Sequence, residues 1–239
     1  MLENLKIENL LVLDIETVPA EPLFVDLNER WQALWTKKAR IIDSESDPDE
    51  VYERAGIYAE FGKIICISVG IFVPNGKSYD FRVKSYYGDD EKQLLTEFGN
   101  LLATSFNTAQ KALCAHNGKE FDFPYIARRM LINGLKLPFI LDTAGKKPWE
   151  VNHIDTMQLW KFGDFKSFTS LDLLAAVFDI PTPKDDIDGS MVSEVYYAEG
   201  DLDRIVRYCE KDIVTLANVL LRFKGKDILT DDNIVKSDN

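Results

Sequence analysis

The sequence predicts an α/β domain built on a mixed β-sheet. Strand-like segments come early and include an apparent hairpin, helical patterns dominate later, and the composition is that of a globular protein. Hydrophobic residues make up 46% of the 239 residues and charged residues 28%.

The first strand is read in "LLVLDIETVP", Leu10 to Pro19. Four apolar residues lead into Asp14, and Glu16 follows two places on. In a strand, residues i and i+2 share a face, so the two carboxylates would project side by side. They would repel each other, and a hard divalent cation such as Mg²⁺ or Mn²⁺ would relieve the repulsion. The bland alternative is a strand that stops at Leu13 and two solvated acids.

A helical pattern follows over "LFVDLNERWQALWTKKARII", with Leu27, Trp31, Leu34 and Trp35 at helical spacing. "DSESDPDE" reads as an acidic, solvated loop. Gly62–Val73 and the run "SYDFRVKSYY", joined by the turn "PNGK", form the hairpin. A helix starts near Asp89, a short buried strand spans Lys111–Asn117, and a helix runs from about Asp122 to Asn133. "VNHIDTMQLW" reads as a strand end running into a helix, and "SLDLLAAVF" and "GSMVSEVYYAEG" read as helical. The last helix starts at the N-cap Asp201 and runs to Phe223, with Leu202, Ile205, Val206, Cys209, Ile213, Leu216, Ala217 and Leu220 as one apolar stripe. The tail "GKDILTDDNIVKSDN" is polar and expected to fray.

Composition narrows the chemistry. Three scattered cysteines, Cys66, Cys114 and Cys209, lack C-x-x-C spacing, which argues against a disulfide framework or a zinc site and fits a reducing cytosol. With only His116 and His153, an all-histidine metal site is excluded, so any metal is expected on carboxylates. The net charge of −12 counts against a protein that coats duplex DNA, which needs Lys and Arg to neutralise phosphates. No apolar run approaches the ~20 residues of a membrane span, and no secretory signal is read at the start, so a cytoplasmic protein is expected.

Two further segments carry acids in suggestive places. "AHNGKEFDFPYIARR" sets Asp122 at the start of a helix just after a strand. "YCEKD" sets Tyr208 and Asp212 at i and i+4, on the flank of the apolar stripe. Taken alone, Tyr208 reads equally as a packed aromatic and Asp212 as a helix acid beside Lys211.

Together, D-x-E (Asp14, Glu16), N-x-x-x-F-D (Asn117 to Asp122) and Y-x-x-x-D (Tyr208, Asp212) resemble the DEDD superfamily of 3′–5′ exonucleases in its tyrosine-bearing branch. The pattern looks most like the proofreading exonuclease domains of family B DNA polymerases, here without a polymerase domain. The resemblance spans residues 14 to 212. It implies a ribonuclease H-like fold, with a mixed central sheet flanked by helices and the first three strands antiparallel. It implies two divalent metals, Mg or Mn, held by Asp14, Glu16, Asp122 and Asp212, with Asp14 bridging both. Tyr208 would orient the attacking water. Thr17, Asn117 and Phe121 would touch the terminal nucleotides. "SLDLL" is similar to a motif of those polymerases that touches single strands, which brings in Ser170 and Leu171. "KDDI" is similar to one whose lysine, here Lys184, assists catalysis. Ordinary helix and loop chemistry explains both segments as well.

The expected activity is hydrolysis at 3′ ends of single-stranded nucleic acid, DNA favoured over RNA, with a separate polymerase or DNA-repair protein as partner. The alternatives are an RNA 3′-end exonuclease resembling RNase D and a non-catalytic nucleic-acid binder on the same fold. One domain is expected over 1–224, with 21–61 as an insertion that shapes the cleft and 225–239 as the tail. "LWKFGDFKSF" interleaves Trp160, Phe162, Phe165 and Phe168 with Lys161 and Lys166, which suits stacking on single strands or packing on the core. Arg128 and Arg129 are read as phosphate ligands or as balance for acids.

Overall fold

The first strand does not stop at Leu13. In a computed structural model that describes residues 2–164, 166–182 and 187–237, β1 runs over Leu10–Pro19 and carries both acids inside it. The strand is apolar on both faces because both are covered. Leu11, Leu13 and Ile15 pack under α2 (Glu91–Ser105) and α3 (Asp122–Ile132). Leu10 and Val12 pack under α7 (Leu202–Phe223). Asp14 and Glu16 continue the even-numbered series, on the α7 face.

β1 pairs antiparallel with β2 (Gly62–Asn75), and β2 with β3 (Ser78–Tyr87) through the turn at Gly76, whose φ of 61° suits a residue without a Cβ. β4 (Ala112–Ala115) joins β1 in parallel, and β5 (Ile154–Asp155) joins β4 in parallel. The six strands stand in the order β5-β4-β1-β2-β3-β6. This is the mixed sheet flanked by helices that the sequence predicts, with its first three strands antiparallel.

β6 corrects one expectation. The tail after Gly225 does not fray over its described length. Ile234–Lys236 adds in parallel to β3, Leu229 is buried, and the Leu229 N–H donates to Asn218 Oδ1 at 2.8 Å. Two apolar residues and a free sheet edge suffice to dock a polar segment.

The helices start where their caps predict. Asp90 caps α2 and Asp201 caps α7, each carboxylate accepting a backbone N–H of the first turn. The short α4 (Thr156–Lys161) is capped by Asp155, and α5 (Leu171–Val177) by Ser170. α6 (Val192–Glu194) runs on through one π-helical turn over Val195–Glu199.

The segment 21–61, expected to be an insertion, builds a small core of its own. Its helix α1 (Glu29–Ile42) starts at the Asn28 cap, later than the apolar pattern suggests. Trp35 is fully buried between Tyr52 and Phe61 and donates its indole N–H to Pro48 O, whereas Trp31 and Leu34 remain partly exposed. A 3₁₀ segment, Tyr52–Ile57, then lies on the end of β1, where a Cβ on Gly56 would meet the Val18 backbone at 3.1 Å. The Tyr125 hydroxyl, on α3, donates to Gly56 O at 2.7 Å.

Arg129 balances an acid. Its guanidinium pairs with buried Glu91, Nε to Oε1 at 2.8 Å, and donates to Ala59 O. Glu91 also accepts from the Ile64 N–H and from Asn133 Nδ2. One ion pair thus ties α2, α3, β2 and the insertion together. Removing one partner leaves a buried charge uncompensated, so Arg129→Met is expected to cost about 3–5 kcal/mol in urea melts. The same change at exposed Arg128 should stay within about 0.5 kcal/mol. Equal effects at the two positions would show that the pair is not the tie.

Candidate active site

The two acids of β1 sit where the sheet is irregular. Asp14 faces Ser68 and Glu16 faces Cys66, but Thr17 pairs with Ile64, so Ile65 is passed over in the register. This bulge adds a residue to β2 opposite the acids and turns Ile65 to the α7 side, which Cys66 already faces by strand alternation.

Asp122 reaches the same place from α3. β4 ends at Ala115, so beyond Val12 the β4 side of β1 has no strand partner. There the Ile15 N–H donates to the Asp122 carboxylate. Asp122 is only 3% exposed and Glu16 7%. α7 supplies the remaining groups, one turn apart: the Tyr208 hydroxyl donates to the Asp212 carboxylate.

Electrostatics give the measure of this convergence. Burial pushes Asp14 well above the usual carboxylate range, and the charges of Asp122 and Asp212 push it further. Burial does the same to Glu16, followed by Asp14 and Asp212. Burial raises Asp122 to about 7. Burial and then Asp212, Glu16 and Asp14 push the Tyr208 phenol far up, so it remains protonated and acts as a donor. A buried all-oxygen set that repels itself fits a hard divalent cation.

The nucleotide-contact candidates are occupied in different ways. Thr17 hydrogen-bonds the Tyr125 phenol and so helps tie the insertion to β1. Asn117 sits at φ 63°, a left-handed conformation that asparagine tolerates. Phe121 is half-buried against the core, its ring 5.4 Å from that of Tyr125. Ser170 is a helix cap, and Leu171 packs on the core beside Leu174 and Val219. Lys184 lies outside the described residues, as does Phe165. Trp160 packs against Phe178 and Phe223, a core role, while Phe162 and Phe168 are 79% and 70% exposed and Lys161 Nζ lies 4.1 Å from the Phe168 ring centre.

Three residues near the acids are absent from the sequence-derived set. Asp155 is buried and accepts backbone N–H groups from Asn117, Lys119, Met157 and Gln158. It therefore fixes the loop that leads to Asp122 against the start of α4. Its place between a strand end and a helix start is a legible capping signal. His116 takes a hydrogen bond from the Thr156 hydroxyl and donates Nε2–H to Thr169 O at 2.8 Å, fastening the aromatic segment to the end of β4. Burial lowers its pKa, in keeping with a neutral ring. The third is Cys209. Its thiol donates to Asp14 at 3.5 Å, to the carbonyl and to Oδ2. As one member of an apolar stripe it carries no sequence signal.

The raised acids fix the sign of a pH dependence. Asp122 has a folded pKa of about 7 against an ordinary value of 3.8, so the folded chain holds this proton more tightly than the unfolded chain. Its contribution is complete below about pH 4 and is lost as pH rises through about 7. In chelator, the melting temperature should fall between pH 5 and pH 8, and the fall should shrink in Asp122→Asn. An unchanged pH slope in the variant would show that Asp122 is not strained.

The comparisons with known proteins follow this geometry. A family B DNA polymerase from the hyperthermophilic archaeon Pyrobaculum calidifontis has a similar structure over 89% of this chain, with a TM-score of 0.52 and 16% identity. The chain spans 24% of that polymerase. The RNase domain of the yeast Pop2 protein aligns with 88% of this chain and 78% of its own, at 12% identity and a TM-score of 0.39. No curated protein matches the sequence. A family model matches residues 57–236, a span that starts after Asp14 and Glu16 and includes Asp122, Tyr208 and Asp212. With a match over more than half its length, the chain belongs to the family of predicted 3′–5′ exonucleases related to the exonuclease domain of PolB.

Proposed function

We propose that this exonuclease removes nucleotides from the 3′ end of single-stranded DNA with the help of two divalent ions, Mg²⁺ or Mn²⁺. The observation that carries the reading is the electrostatic convergence of Asp14, Glu16, Asp122 and Asp212 with the Tyr208 hydroxyl in one partly buried cluster.

Asp14, Glu16, Asp122 and Asp212 would hold the ions, with Asp14 shared between them. Bound metal supplies Lewis acidity, which makes a water nucleophilic near neutral pH and offsets charge on the phosphate. The chain's own groups do the rest. Tyr208 donates to Asp212 and so presents its oxygen to accept an O–H from the attacking water, which orients a water lone pair toward phosphorus. The new bond joins the water oxygen to phosphorus. The bond from phosphorus to the 3′ oxygen of the preceding nucleotide breaks, that oxygen gains a proton from solvent in place of the one the attacking water gives up, and the products are a 3′ hydroxyl and a nucleoside 5′-monophosphate. Asp155 keeps the Asn117–Lys119 loop, and with it Asp122, in place. Exposed Phe162 and Phe168 offer stacking faces for the unpaired strand without reading sequence. Lys184 would stabilise charge on the scissile phosphate. The net charge of −12 disfavours broad duplex contact, which favours a single-stranded end. Among the described residues no helix is long and apolar enough to cross a membrane. A separate polymerase or repair protein is the proposed partner.

The test is digestion of 3′- and 5′-labelled single-stranded DNA and RNA with Mg²⁺ or Mn²⁺. Attack from 5′ ends, or nicking of circular strands, would refute the polarity, and preference for RNA would reassign the substrate. Asp212→Asn should lower the single-turnover rate by at least ~100-fold, because it removes a charge that meets the metal and the transition state. Tyr208→Phe should cost ~10–1,000-fold, as for a positioned proton-handling group. Near-full activity in folded Asp212→Asn would end the metal-site assignment. A silent Tyr208→Phe alone would return the tyrosine to a packing role.

A further inference from the structure

Two thiols meet at the catalytic carboxylates, and they come from segments with no relation in sequence. Cys66 stands opposite Glu16 on β2 and faces α7 by the ordinary alternation of the strand. Cys209 stands on α7, next to Tyr208. Both are fully buried, and they hydrogen-bond each other. Cys209 Sγ lies 3.5 Å from Asp14 Oδ2, and single ligand atoms of Asp14, Glu16 and Cys209 all fall within 4.8 Å of one another.

We propose that Asp14, Glu16 and Cys209 form a tetrahedral site for a thiophilic divalent cation, zinc or cadmium, which competes with Mg²⁺ for the same cleft. This rests on reading the cleft as a metal site. Around a zinc ion with bonds of about 2.3 Å to sulfur and 2.0 Å to oxygen, a tetrahedral S···O edge is about 3.5 Å. The Cys209–Asp14 separation has that length. An octahedral Mg²⁺ with bonds of about 2.1 Å has edges of about 3.0 Å and takes oxygen donors. The thiol therefore adds nothing for magnesium and one strong ligand for zinc or cadmium. A water fills the fourth position. The Cys209 proton leaves to solvent on binding, so affinity rises with pH. Zinc with the thiolate would occupy Asp14, the carboxylate that the proposed mechanism shares between both ions, and hydrolysis would stop. A buried thiol that only donates weakly to Asp14 is the alternative, and it predicts no metal–sulfur bond.

Cobalt(II) serves as a spectroscopic stand-in for zinc. The full chain, reduced with a phosphine and stripped of metal, is titrated with Co²⁺ in the absence of nucleic acid. The expected result is a thiolate-to-cobalt charge-transfer band in the near ultraviolet that stoichiometric Zn²⁺ or Cd²⁺ displaces. The band should vanish in Cys209→Ser and persist in Cys114→Ser. Zinc should bind at least ~10-fold more weakly to Cys209→Ser. No band in the native chain at saturating Co²⁺, shown bound by equilibrium dialysis, would overturn the proposal. So would failure to bind Co²⁺ at all, or a band that survives in Cys209→Ser. If Cys209→Ser does not fold, Cys209→Ala takes its place. If that also fails, X-ray absorption at the zinc edge of the native chain decides: a zinc–sulfur shell near 2.3 Å is expected, and a shell of oxygen alone overturns the proposal. A chain that digests DNA with Mg²⁺ but shows no band keeps the exonuclease reading and loses this one. A chain that shows the band but digests nothing does the reverse.

Discussion

Four carboxylates brought together at a partly buried place are the constraint around which the rest of this molecule is arranged. Burial alone lifts Asp14, Glu16 and Asp122 out of the ordinary carboxylate range, and their mutual charges lift Asp14 and Glu16 further. Such a cluster is unfavourable in a bare chain. It persists because the strands and helices that carry the acids are fixed by other interactions that do not depend on them. The apolar faces of β1 hold it between α2, α3 and α7, and the acids follow on the same strand with no freedom to turn away.

Polar groups elsewhere set the geometry. Asp155, with four backbone N–H groups on one carboxylate, and Arg129 with Glu91 are the main ties. Each is buried and each joins segments remote in sequence. Their energetic role differs from that of the clustered acids. They accept backbone N–H groups or pair with a guanidinium, whereas Asp14, Glu16 and Asp122 are pushed toward their protonated forms by burial and by neighbouring acids. A cation would relieve that repulsion.

Two segments frame the sheet away from the acids. Residues 21–61 carry a Trp35-centred core and dock on the end of β1, just beyond Glu16, through Gly56 and Tyr125. The tail closes the far edge of the sheet as β6. Asp14 and Glu16 lie on the α7 face of β1. On that face Cys66 and Cys209 add sulfur to a site otherwise made of oxygen, which gives the cleft a selectivity question that carboxylates alone do not pose.

The sequence by itself determined what short-range periodicity can carry. The i, i+2 spacing puts Asp14 and Glu16 on one face of a strand, and the i, i+4 spacing puts Tyr208 and Asp212 on one flank of a helix. The cap at Asp201 and the turn at Gly76 are equally local. Tertiary structure decided what depends on partners far along the chain. Local pattern left open whether β1 ends at Leu13, because a strand covered on both faces shows no alternation. It left Arg129 between phosphate and acid, since Glu91 is brought to it only by the packing of α2 on α3. Ser170 has the same sequence whether it caps a helix or touches a strand of DNA. The contact between Cys66 and Cys209 needs β2 and a helix from the other end of the chain to pack on one another. No local rule encodes that meeting, because it is fixed only once the sheet and α7 have packed.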